Sequence, residues 1–381
     1  MTDARLDVPL AYVRTNPEPV LPAPIFSHGA LAWIRANLFS SWISCALTVL
    51  SVALCLWLIP PLIAWATFHA IWSAPDGALC RAHQDGACWA FVAQKMNYFR
   101  YGSYPQTERW RVDVTEIIGA ALIVWLLWPR APRRAIGAGL FFVAFPILAF
   151  ILLRGSDWFG LPLVDTVLWG GVFVSLLTAL VGIVFSLPLG VLLALGRRSS
   201  LPVVKAASVV FIEFVRGVPF IAVLYMANNM LPLFLPAGWE PDRFVPPLVG
   251  TALFAAAYMA EEVRGGLQSL DKGQYEGAMA LGLGYWRMMG LVVLPQALTL
   301  VIPGLVNNVI GLFKDTTLVS IVGMTDFLAA MDNAFKDSAW SGPTILETGY
   351  VFAGLFYFVF CYAMSRYSAS MERRLAVGRR R

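Results

Sequence analysis

The chain is poor in the residues on which most soluble catalysts depend. Only 13% of its 381 residues are charged, and only three are histidine. HExxH and GxSxG are both absent, so neither zinc-peptidase nor serine-hydrolase chemistry has an assembled motif. None of the five lysines follows a glycine, so no GxxxxGK[ST] loop is present to cradle ATP phosphates. The five cysteines form no CxxC, which leaves no zinc or thioredoxin-like framework. Cys45, Cys55 and Cys361 fall in apolar runs and read as small hydrophobes. Cys80 and Cys88 lie together in a polar stretch and are the candidate disulfide. The first 27 residues contain neither an apolar core nor a cleavage-site pattern, so no cleaved signal peptide is expected. The first apolar helix is expected to act as an uncleaved anchor. No close internal repeat and no low-complexity block is visible.

What the chain does have is apolar surface. Hydrophobic residues make up 59% of it, the composition of a polytopic membrane protein. Its formal charge of +5 is no nucleic-acid footprint, because the basic residues sit in short loops between apolar runs. About eight membrane-spanning helices are expected, near 42–69, 112–128, 135–153, 167–195, 203–230, 248–263, 294–313 and 348–364. The second is the shortest, since its purely apolar run is only 117–128. Pro60 and Pro61 should kink or end the first. Residues 70–114 read as a polar loop. With eight spans and the N-terminus inside, Arg130, Arg133, Arg134, Arg197, Arg198, Arg264, Arg287 and the C-terminal arginines all face the cytoplasm. That agrees with the positive-inside rule.

Three stretches carry candidate function. The first is 271–295, DKGQYEGAMALGLGYWRMMGLVVLP. Glu276 to Leu281 is short and rich in small residues, and Gly282 and Gly284 can take positive φ and break the helix. Pro295 can open the next helix. Two short helices on the membrane surface follow, with Gly277, Ala278 and Ala280 allowing another surface to approach closely. The second is 211–220, FIEFVRGVPF, where Glu213 and Arg216 stand at i and i+3 on one face. Counted from Val203, Glu213 falls about 15 Å along the span. Ionisable groups at such depth face a cavity or each other, so the pair is either a pathway for a zwitterion or an internal ion pair. The third comprises Tyr258, Glu261 and Arg264 at the end of the sixth span, with Asn307, Asn308, Lys314 and Asp315 at the far end of the seventh.

The first stretch resembles the EAA loop of bacterial ABC importer permeases: Glu276, Gly277 and Ala278, three residues, Gly282, nine residues, then Val292-Val293-Leu294-Pro295. Gly277 replaces the first Ala and Val292 the Ile. EFVRGVPF resembles the E-x-x-R-G-T-P segment of polar amino acid permeases, with Val218 in place of Thr. YMAEEVRGG and LPQALTLVIPGLVNNVIGLFKDTTL are similar to further segments of that family. The resemblance covers about 165–374 and points to the histidine, glutamine and arginine permease group. The additional N-terminal residues are similar to the long permeases of general L-amino acid transporters.

The resemblance implies an all-α polytopic fold, a five-helix type I importer permease core preceded by three extra helices. It implies a cytoplasmic tail 1–41, an extension 42–160 holding the external 70–114 loop, a core 161–370 with coupling loop 271–292, and a basic cytoplasmic tail 371–381. Glu276, Gly277, Ala278, Gly282, Leu294 and Pro295 would couple to a cytoplasmic ATPase dimer that binds ATP and Mg, none of which this chain would hold itself. Glu213, Arg216, Tyr258, Glu261, Asn307, Lys314 and Asp315 would line the substrate pathway. The implied partners are a homologous or paralogous permease, a periplasmic amino-acid-binding protein and membrane lipid. A gated channel or a scaffold is the competing class. A channel needs a selectivity ring, and none is visible.

Overall fold

A computed structural model describes residues 29–128, 130–236, 238 and 241–379. The chain divides into two compact units at Phe68 and His69. Compactness therefore separates the first apolar helix from everything after it, and residues 69–160 belong with the core rather than with that helix. The expected tail 1–41 lies mostly outside the described residues.

The first unit holds α1 (Ala30–Leu38) and α2 (Trp42–Ile63), the latter continued by a π-helical turn, Ala64–Phe68. Ser41 caps α2 by accepting from Ser44 N–H. Pro60 and Pro61 do not end the helix. The Ala64 N–H bonds to their two carbonyls, and the wider turn that follows absorbs the disruption.

The second unit opens with a folded lobe where a polar loop was expected. α3 (Ala78–Ala82) and α4 (Trp89–Tyr101) surround the bonded Cys80 and Cys88, whose Cα atoms lie 5.8 Å apart. Phe91 and Phe99 of α4 are buried against Phe327, Phe335 and Trp340 from the far end of the sequence. Lys95 reaches Asp337 at 2.5 Å, and Arg81 donates to the Ser341 carbonyl. The aromatic residues of this stretch make a core with residues 240 positions away, which no local pattern announces.

α5 (Arg109–Leu127) follows. Its 19 residues reach about 28 Å, close to the thickness of a bilayer core. Arg109, Arg111, Asp113 and Glu116 occupy its first turns. α6 (Arg134–Gly139), a π turn (Leu140–Ala144) and α7 (Phe145–Arg154) form one continuous span. After the short strand β1 (Gly170–Gly171), α8 (Val172–Arg197) crosses back. α9 (Pro202–Gly217) and α10 (Phe220–Met230) meet at 113°, so the expected fifth span is two helices. Pro219 explains the break: it holds Val218 extended (φ −104, ψ 137) and offers no N–H.

α11 (Val245–Ser269) packs along α8 through small residues. A Cβ on Gly190 would lie 2.7 Å from Met259 Cβ and 3.0 Å from Ala260 N, so the two backbones approach as closely as glycine allows. α12 (Lys272–Ala280), α13 (Tyr285–Met288), a π turn (Met289–Val293) and α14 (Leu294–Asp315) come next. Pro295 does not open this helix, which begins ten residues earlier at Tyr285. The ring removes one N–H and crowds the carbonyl four residues back, and the π turn accommodates both. The same pairing of a π turn with a proline two residues later occurs at Leu140–Ala144 and Pro146.

The chain ends with strand β2 (Thr325–Asp326), paired in parallel with β1, then α15 (Phe327–Phe335) and α16 (Pro343–Arg379). Among the described residues, five helices are long and apolar enough to cross a membrane, and the bent α9–α10 pair gives a sixth. α5 and α11 have the length but carry charge. Together they stand in the eight places where spans were expected. Asp326 is fully buried and caps α15, accepting from the N–H groups of Leu328 and Ala329. Burial pushes its carboxyl up to about 6, against the pull of those two donors.

Candidate functional site

Two regions gather the polar residues singled out in the sequence. The first lies between α8, α9, α11 and α14. Glu213 does not sit deep in a straight span. The turn at Gly217–Pro219 lays α9 across the C-terminal end of α8, where Glu213 accepts from Arg197 Nη1 at 2.7 Å. Glu213 and Arg216 therefore find their partners on other helices. Arg197 also approaches Glu261 at 3.6 Å, and Arg216 approaches it at 3.7 Å. Arg264, one turn along α11, pairs with Glu261 as well. Three guanidinium groups thus surround one Glu261, and Arg216 Nε is buried without an acceptor among the described residues. Arg197 was invisible as a partner in the sequence, since it stands 16 residues from Glu213 with no local spacing to mark it.

Arg216 also lies over the Tyr258 ring at 5.7 Å, and Tyr258 leads into a cavity of about 210 Å³. Asn307, Asn308, Gly311 and Asp315 of α14 line its other wall. At 3.6 residues per turn these four share an arc of the helix. Lys314 falls about a quarter turn from its centre and is exposed. The structure therefore separates Lys314 from the other candidates, although it adjoins Asp315 in sequence. Asn308 Nδ2 is buried, a donor without an acceptor among the described residues. The result is a polar file from Asp315 through the two asparagines, Asn307 exposed, and Tyr258 to the Arg216–Glu261 cluster.

The second region is the 271–295 loop. Asp271 caps α12 by accepting from Gly273 N–H at 2.8 Å. The chain turns at Gly282, whose φ is +75, whereas Gly284 stays at −67. Only Gly282 uses the freedom that both possess. Glu276 and Gly277 are exposed, but Ala278 is buried. Ala278 packs inward with Met288, Met289 and Val293, so it cannot supply close approach to an outside surface. Its small size lets α12 fold down onto α13. Leu294 is half-buried against that same cluster. The outward face instead presents Met279, Leu281 and Trp286, the last two more than 70% exposed. Large apolar side chains in a polar loop were the signal for these. Arg198 fastens the loop to the helix ends: its Nη1 donates to the Leu267 carbonyl (2.8 Å) and contacts the Tyr275 hydroxyl (3.2 Å).

Residues 186–377 match the family model described as binding-protein-dependent transport system inner membrane component. The chain is 48% identical to the inner membrane amino-acid ABC transporter permease protein YhdY of Escherichia coli, covering 95% of this chain and 97% of that one. It is 39% identical to BztC of Rhodobacter capsulatus, named as a glutamate/glutamine/aspartate/asparagine transport system permease, over 96% and 98% of the two chains. Among solved structures, an amino acid ABC transporter crystallised with histidines is 28% identical. It covers 54% of this chain and 92% of that one at a TM-score of 0.47. The long relatives carry the N-terminal residues too, so those residues belong to the type. The chain is a member of the binding-protein-dependent transport system inner membrane component family: the multi-pass permease subunit of an ABC importer, whose ATPase is a separate subunit.

Proposed function

We propose that this permease imports polar L-amino acids across the bacterial inner membrane, with the file from Asp315 to Glu261 as its passage. The observation that carries this is the cavity between α11 and α14, bounded by Tyr258, Asn307, Asn308 and Asp315 and continued by the Arg216–Glu261 cluster. Polar and charged side chains within a membrane bundle are costly and mark a route for polar cargo. An amino acid brings one carboxylate and one ammonium. Asn308 Nδ2 and Arg216 can donate to the first, and Asp315 and Glu261 can accept from the second. The names of the long relatives point to the same cargo.

The remaining parts follow from this reading. A homologous or paralogous permease completes the membrane portion. A periplasmic amino-acid-binding protein delivers cargo, and an ATPase dimer, holding ATP and Mg, docks on 271–292 against Glu276, Met279, Leu281 and Trp286. ATPase closure would move α12, and Arg198 would pass that motion to α8 and α11 as a rigid-body shift. Both termini are cytoplasmic in this arrangement.

Uptake by the reconstituted complex against a panel of amino acids tests the reading. Polar amino acids should be taken up with ATP. Asn308→Leu should lower uptake about ten-fold, the loss of one hydrogen bond to a charged group, while the ATPase stays bound. Uptake indifferent to Asn308→Leu and Asp315→Asn would move the passage elsewhere.

A further inference from the structure

A second cavity has no part in the transport reading. It is a groove of about 580 Å³ between α7, α8 and α11. Leu177, Leu180, Val181, Phe185 and Leu189 of α8 form its floor. Ile147 and Phe150 of α7 and Val245 of α11 stand at its rim, each more than 40% exposed. The floor runs about 18 Å along α8, from Leu177 to Leu189. One leaflet of a bilayer core is about 15 Å deep. The groove is therefore one acyl chain long.

Its polar end has a distinct character. Asp242 and Thr166 close it, with Trp169 and Phe244. Arg154 donates to Asp242 Oδ2 at 2.6 Å, and the Thr166 hydroxyl donates to the same oxygen at 3.0 Å. Arg154 remains 42% exposed beside this bond. The indole N–H of Trp169 is buried without an acceptor among the described residues. The mouth thus presents one cation beside one anion with no net charge. An anionic head would meet the carboxylate of Asp242. A head carrying both a phosphate and an ammonium would match each group in turn.

We propose that this groove binds one glycerophospholipid with a zwitterionic aminoethyl phosphate head. One tail lies along Leu177–Leu189, the phosphate meets Arg154, and the ammonium meets Asp242. The lining excludes water, because it offers almost no polar partner along its length. With the orientation proposed above, the lipid belongs to the outer leaflet. By bridging α7 to α8 and α11, it ties the N-terminal residues to the core.

The test is lipid retention by the intact complex, purified in mild detergent and analysed by native mass spectrometry. The complex is first equilibrated in vesicles containing equal amounts of phosphatidylethanolamine and phosphatidylglycerol. The unaltered complex should keep about one phosphatidylethanolamine per copy of this chain. Val249→Phe with Leu253→Phe fills the groove and should lower retention at least about ten-fold. Arg154→Gln leaves the tail slot intact and should abolish the preference between the two lipids, so the test survives if the filled variant fails to fold. Equal retention by the filled and unaltered complexes would overturn the proposal. So would a preference for phosphatidylglycerol, or a photocrosslinker at Val249 capturing a polypeptide instead of lipid. None of these outcomes bears on amino acid uptake, so the lipid site and the transport reading fail separately.

Discussion

Replacing Gly282 by valine tests whether the loop couples through its shape. Gly282 has φ +75, and a Cβ there meets nothing within 4 Å. Space is therefore no obstacle, and any effect must come from the backbone. Left-handed φ costs an ordinary L-residue about 1–2 kcal/mol, and a β-branched one stands at the upper end. A cost near 2 kcal/mol leaves the bent loop about thirty-fold less favoured against straightened alternatives. Asparagine tolerates that region far better, because its short polar side chain bonds locally. The prediction is thus a pair. Gly282→Val should insert and accumulate normally yet lose the ATPase, or lose substrate-stimulated hydrolysis, by about ten-fold or more. Gly282→Asn should stay close to native.

The assay is ATPase co-purification with hydrolysis in proteoliposomes. A purely steric account predicts that Asn, whose side chain reaches further from the backbone, does at least as much harm as Val. Equal behaviour of the two variants would refute the backbone argument. Native behaviour of both would reduce the loop to a connector.

Three further outcomes are expected. Glu261→Gln should lower uptake more than Glu213→Gln, because it leaves Arg197, Arg216 and Arg264 facing one another without their shared carboxylate; a reversed order in transport assays would contradict the shared-partner geometry. Peptide mapping without reductant should find Cys80 joined to Cys88, and replacing both by serine should cost the lobe about 2–3 kcal/mol in detergent melting curves; alkylation of Cys80 and Cys88 in the native protein would count against the bond. Asp326 has its folded carboxyl pushed up to about 6 from 3.8, so it contributes stability that is full below pH 3.8 and lost as pH rises through 6, on the order of 3 kcal/mol. Asp326→Asn keeps a cap and should flatten the melting temperature between pH 4 and 7, and an unchanged slope would disprove the assignment.

Much of the architecture was legible because membrane spans obey one-dimensional rules. Length, apolarity and the placement of arginine locate eight segments; most bounds shift by a few residues, but the helix expected at 294–313 begins at Tyr285 and the one expected at 348–364 runs from Pro343 to Arg379. What could not be read was anything set by contact between distant segments. Residues 70–114 looked like a loop because their charge is mixed. Only pairing with α15 and the start of α16 turns Phe91 and Phe99 into a core. Prolines carry less information than their type suggests. A kink or an end is expected at Pro60 and Pro61 and a helix start at Pro295, yet widened turns keep the helices running through both places. The break expected near Gly217–Pro219 is a corner of 113°.

The corner at Pro219 changes what the Glu213–Arg216 motif can do. In a straight span, i and i+3 partners would satisfy each other, and the motif would be self-contained. At a 113° corner the same two side chains reach α8 and α11 instead, and both routes meet at Arg197 and Glu261. Those two helices are also the ones that Arg198 fastens to α12 through Leu267 and Tyr275. Arg197 and Arg198 are neighbours in sequence, so a shift of the loop must move the end of α8 and disturb the charge cluster in the same step. One contacts the loop and the other the charge cluster, and the peptide bond between them is the shortest mechanical link the fold could provide. Coupling in this permease would then be lost by separating the two arginines, for instance by inserting a single glycine between them, with both sites left chemically intact.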